Sequence, residues 1–195
     1  MSDGSSLDRQ PTTGPAPSSR GLHVAAAPND HTLIIFGGAA KDGTMLNDAF
    51  ALDTRSWVWR PLAAPSSASS LGGLGFLSQL FGGGGGDADR PSPTPRAGAC
   101  AASLPDSNGI VVCCGAEAGA GGLVPRADAW ALTLDSEGEG QWTCLLADDA
   151  PNAPAPRNAA TLTPLGGRPG ELLLHGGWHP FVRTYADSRV LRVEA

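Results

Sequence analysis

Apolar positions along the chain come in short bursts that end at glycine. LIIFGGAA spans 33–40, IVVCCGAE spans 110–117 and LLLHGGWH spans 172–179. Runs this short, bounded by turn residues, predict buried strands. Each burst has the same surroundings. An Arg opens a small-residue run before it: RGLHVAAA from Arg20, RAGACAAS from Arg96 and RNAATLTP from Arg157. An Asp opens a period-two alternation after it: NDAFALD with Asp48, ADAWALTLD with Asp128 and ADSRVLRVE with Asp187. Two units close on a Trp with a Leu three residues on, WRPL from Trp59 and WTCL from Trp142.

Each unit therefore predicts four short strands. Strand A follows the Arg, strand B is the apolar run, strand C follows the Asp, and strand D carries the Trp. Many short strands with frequent turn signals give an all-β fold, and repetition favours a propeller over a sandwich. The order Arg-x-x-His, apolar-Gly-Gly, Asn-Asp, Trp-x-x-Leu resembles the kelch repeat of β-propeller proteins. Unit 1 carries all of it, with Arg20, His23, Gly37, Gly38, Asp48 and Trp59. Unit 2 has Ala99 at the His position and Cys114-Gly115 for the double glycine. Unit 3 has Arg157, Gly176, Gly177 and Asp187, but Ala160 at the His position and no Trp strand. The resemblance implies a partial kelch-type propeller of about three four-stranded antiparallel blades.

The expected layout is a disordered tail over 1–19 and a repeat region over 20–195. Within it, blade 1 covers 20–62, a low-complexity insert 63–95, blade 2 96–146 and an incomplete blade 3 157–195. Three blades fall short of the four to eight of most propellers. The chain then reads as a fragment of a longer protein, or as half of a homodimer that completes a six-bladed ring.

Composition narrows the function. Glycine (27) and proline (17) are abundant, only 16% of residues are charged, and net charge is −6. No basic patch marks a nucleic-acid partner, and no apolar stretch is long enough to span a membrane. No secretory signal precedes the repeats. The expected location is cytoplasmic, with the nucleus as an alternative. The four cysteines show no C-x-x-C spacing. Cys113 and Cys114 adjoin in a predicted strand, where side chains alternate between faces, so they are expected not to share a metal. No cofactor is expected. His175 and His179 straddle a strand end and a turn, so their spacing does not predict zinc ligation.

The other motif residues read as structural. The glycine pairs suit a chain leaving the sheet. The three Asp are expected to accept backbone N–H groups in the turn into strand C. Trp59 and Trp142 are expected to pack between blades, with truncation costing about 3–5 kcal/mol if buried. The loops joining B to C and D to A are the longest and most varied, and function tends to sit on such loops. Kelch propellers often bind a partner protein there. The candidate partner-binding residues are Lys41, Arg126, Trp178, His179, Phe181 and Arg183, because aromatics and Arg anchor interfaces. The expected role is a protein-interaction module with no chemistry of its own. The alternative is a piece of a kelch-type enzyme whose site lies partly in other blades.

Overall fold

The computed structural model describes residues 6–62, 92–104 and 107–193. It is all-β. The first sheet contains β1 (Val24–Asn29), β2 (Thr32–Ala39), β3 (Met45–Asp53) and β4 (Val58–Leu62), paired antiparallel in that order. The second contains β5 (Cys100–Leu104), β6 (Gly109–Cys113), β9 (Ala129–Leu134) and β10 (Gly140–Leu146), again antiparallel in chain order. The third has three strands, β11 (Thr161–Pro164), β12 (Glu171–His175) and β15 (Ser188–Arg192). In each sheet one strand follows the Arg, the next holds the apolar run and the next contains or follows the Asp; in the first two sheets a fourth carries the Trp.

Two additions come from the connections between strands B and C. In the second unit that segment is a hairpin of β7 (Ala116–Gly119) and β8 (Gly122–Pro125). In the third it is a shorter hairpin of β13 (Trp178–His179) and β14 (Arg183–Thr184). The sequence pattern predicts these two segments only as loops joining B to C.

Period-two burial gives each sheet two faces. From the first sheet Ile34, Phe36, Ala49 and Leu62 meet Ile110, Val112 and Leu132 of the second in one core cluster. The opposite face of the second sheet, with Cys100, Val111 and Cys113, meets Leu162, Leu172 and Leu174 of the third in another. Trp142 joins the first cluster, its ring edge-on to Phe36 at 4.9 Å between centroids. Trp59 does not match it. It pairs with Leu52 on the far face of the first sheet and belongs to neither cluster, although both rings are half-buried. The two Trp hold equivalent positions, but only Trp142 has a preceding sheet to pack against.

The segment expected to be a disordered tail is engaged at Thr13. Its N–H donates to Trp57 C=O at 3.0 Å, and its C=O accepts from Trp59 N–H at 2.8 Å, which lays it parallel to β4. Of the expected insert, 63–91 lies outside the described residues. Ser92 and Pro93 are buried and lead into Arg96.

The glycine pairs correct one expectation. β2 does not stop at Gly37 but runs through both glycines to Ala39, with a bulge between Phe36 and Gly38. β6 and β12 do end before their pairs. At Gly37 φ is +66°, and a Cβ would sit 2.8 Å from Arg96 C=O of the next sheet, so close approach as well as conformation demands glycine.

Candidate interaction face

The Arg and Asp of each unit meet as a two-toothed fork. Arg20 Nη1 and Nη2 donate to Asp48 Oδ1 and Oδ2 at 2.5 and 2.9 Å. Arg96 does the same with Asp128 at 2.5 and 2.8 Å, and Arg157 with Asp187 at 2.7 and 3.1 Å. Each Nη1 also donates to the first carbonyl of the pair that ends strand B: Gly37, Cys114 or Gly176. Each Nε donates to the carbonyl two residues back: Ser18, Thr94 or Ala155. The guanidinium thus pins three segments of its unit at one point, which Lys, with no planar fork, would not reproduce.

This corrects the expected role of Asp48, Asp128 and Asp187. Their main partner is the Arg and not turn N–H groups. Asp128 also accepts from Trp130 Nε1 at 2.8 Å, and Asp187 from Arg189 Nε at 3.0 Å. The contact with Arg157 holds Asp187 well below the usual carboxylate range; burial opposes this, and Arg189 adds to it. For Arg96, burial is the largest influence and works against the charge; the hydrogen bond and charge of Asp128, with the charges of Asp148 and Glu117, together outweigh it, so the group is held above its usual range.

Burial differs along the series. Side-chain exposure of the Arg–Asp pair is 0% and 0% in the second unit, 3% and 40% in the first, and 0% and 38% in the third. Among the described residues only the middle pair has a sheet on both sides.

Three partner-binding candidates are engaged within the chain. Arg126 forms ion pairs with Glu117 at 3.3 Å and Asp148 at 2.7 Å, tying its loop to the connection that follows β10. Trp178 is half-buried, and its backbone is bonded in both directions to Asn158 at 3.0 Å. Its ring meets Phe181 edge-on at 6.3 Å. His179 is half-buried and sits where β13 pairs with Arg183. Lys41 is exposed.

Phe181 and Arg183 stand outward. Phe181 is 99% exposed, and φ of +58° places it at the tip of the β13–β14 hairpin beside Val182, 67% exposed. Arg183 lies over the Tyr185 ring at 4.9 Å, and Arg157 lies over the same ring at 4.2 Å. Tyr185 therefore joins the fork to the hairpin. The hairpin of the second unit exposes Leu123 and Val124, 40% and 43%. Sequence reasoning passed over these two, since isolated aliphatics in a glycine-rich loop carry no signal. It also passed over Trp130, which only its distance of two from Asp128 could have marked.

The cysteine geometry departs from expectation. β6 ends at Cys113, and Cys114 takes φ of +61°, so its side chain swings back and the two sulfurs lie 3.4 Å apart. With Cys100 they form a buried cluster. The Cys113 thiol is pushed up by its contact with Cys100 and by burial; contact with Cys114 works the other way. Among the described residues no group of three His, Cys, Asp or Glu side chains is placed to hold a metal ion. Nor is any helix there long and apolar enough to cross a membrane.

No family model matches this chain, and no curated protein does. Among solved structures 103 chains match. One, titled "Structure of YjhT", aligns with a TM-score of 0.54 and 16% identity over 89% of this chain and 42% of that one. Likeness at that identity concerns the fold alone. This chain spans less than half the length of that structure.

Proposed function

We propose that the three sheets are blades of a kelch-type propeller and that the chain is a protein-interaction module. It binds through the face that carries the connections between strands B and C. The observation that carries this is the pair of hairpins on that face, which present Phe181 and Val182 at the tip of one and Leu123 and Val124 along a strand of the other to solvent. Exposed apolar side chains on hydrogen-bonded hairpins are preorganised contacts, and aromatic and Arg side chains dominate binding energy at interfaces. Phe181 and Arg183 are the proposed anchors, with Lys41 at the rim. Arg126, Trp178 and His179 hold the loops that display them.

The test is affinity capture with the purified chain, read by mass spectrometry. Wild type is compared with a Phe181→Glu, Leu123→Glu double variant. Proteins retained by wild type should be lost with the variant, while its circular dichroism and melting stay unchanged. The same set retained on both would refute the loop-face reading.

A further inference from the structure

Three backbone hydrogen bonds tie each sheet to the next, and they fall at the same repeat positions both times. Gly38 N–H donates to Arg96 C=O at 2.9 Å, Arg96 N–H to Leu46 C=O at 3.0 Å, and Gly98 N–H to Leu22 C=O at 2.9 Å. One unit on, Gly115 N–H donates to Arg157 C=O at 3.0 Å, Arg157 N–H to Arg126 C=O at 3.0 Å, and Ala159 N–H to Gly98 C=O at 2.7 Å. A third set at the same positions would take the N–H of Gly177 and the carbonyls of Tyr185 and Ala159 from the third sheet. From the first it would take the N–H and C=O of Arg20 and the N–H of Leu22. Among the described residues none of these six groups has a backbone partner. Donor matches acceptor in all three. Leu22, Gly98 and Ala159 share a left-handed backbone, with φ of 57°, 62° and 51°, so both outer ends already hold the linking conformation.

We propose that the two ends pair head to tail between two copies of this chain, closing one six-bladed ring. The proposal rests on the propeller reading above and not on the loop-face reading. The number of copies follows from arithmetic. Propellers close at about four to eight blades, so one copy of three is too few, two give six, and three copies overshoot. Side chains agree at one end. The far face of the first sheet presents Leu33, Ile35, Phe50, Leu52 and Trp59, which belong to neither core cluster. The outer face of the third sheet is more polar, with Thr161, Thr163, His175 and Ser188 where the second sheet has Cys100, Ala102, Cys113 and Ala129. The closing junctions therefore bury less apolar surface than the internal ones, and the pairing is reversible.

Within the chain β5 lies against β1, and β11 against β5. By the same geometry β1 of one copy lies against β11 of the other, which sets Ala25 facing Thr161 and Thr163. All three are exposed in the single chain. Ala25→Arg and Thr161→Arg each insert a long charged side chain at one end of the arc without touching its core. Light scattering after size exclusion reads the result from low to high micromolar concentration. Wild type should rise from 19.7 kDa towards twice that mass. Both variants should stay at 19.7 kDa with unchanged circular dichroism. Phe181→Glu should dimerise as wild type does, which separates this proposal from the loop-face reading. Wild type that stays monomeric, aggregates without a discrete mass or forms a ladder of larger species would overturn the proposal. So would a dimer that survives both variants.

Discussion

The middle Arg–Asp fork should carry far more stability than the first, although both are an Arg and an Asp joined by the same two-toothed pairing. Asp128→Ala leaves the Arg96 guanidinium charged, with no side-chain exposure and no counter-charge in its fork. Removing one partner of a buried ion pair costs about 3–5 kcal/mol. The substitution also takes the acceptor from Trp130 Nε1, a further loss of about 1 kcal/mol. In Asp48→Ala the lost carboxylate is 40% exposed, and water reaches the site. The Arg20 left behind is only 3% exposed but opens to that water, so the expected loss is about 1–2 kcal/mol, between the costs of exposed and buried pairs. For a chain of this size each kcal/mol lowers Tm by about 2–4 °C, so Asp128→Ala should fall by roughly 8–24 °C and Asp48→Ala by about 2–8 °C. Thermal unfolding followed by circular dichroism gives both. A paired Arg96→Met, Asp128→Leu variant should recover much of the single-variant loss, since the charge goes with its partner. Equal and small shifts in Asp128→Ala and Asp48→Ala would refute the claim that flanking sheets set the worth of the fork.

Three further outcomes are expected. Trp142→Ala should cost clearly more than Trp59→Ala in urea unfolding, though less than the about 3–5 kcal/mol of a fully buried Trp, because half-buried Trp142 is wedged against a neighbouring sheet. In native protein a thiol reagent should modify half-buried Cys144 first, and Cys100, Cys113 and Cys114 only on unfolding, as timed labelling with mass readout would show. Asp187 has a folded pKa below its ordinary 3.8. Its contribution to stability is therefore full above the ordinary value and is lost as pH falls through the folded one. The urea midpoint should drop between about pH 6 and about pH 3, and drop less in Asp187→Asn.

The strands were legible because their signals are local. Alternation at Asp48, Asp128 and Asp187, and apolar runs before Gly37 and Gly176, arise within a few residues and survive into the sheets. Pairings across 28, 32 and 30 residues, which join each Arg to its Asp, left no local trace beyond recurrence. The motif positions were thus visible and their chemistry was not. Cys114 was misread for a related reason. Its orientation follows from a glycine-type backbone conformation inherited from its place in the repeat, which alternation along a strand does not describe. Of the interaction face, Phe181 and Arg183 could be picked from composition. That Arg126 is consumed by Glu117 and Asp148 required the fold.

The main chain at Arg96 and Arg157 has a mechanical consequence. Each lies outside any regular strand, yet its N–H and C=O are both bonded to the preceding sheet while its side chain is locked to its own. Neither sheet can shear past the other without breaking bonds at that residue. Rigidity along this chain therefore does not follow strand and loop. Two amides in irregular backbone act as rivets, and in hydrogen exchange they should outlast those of the strand edges.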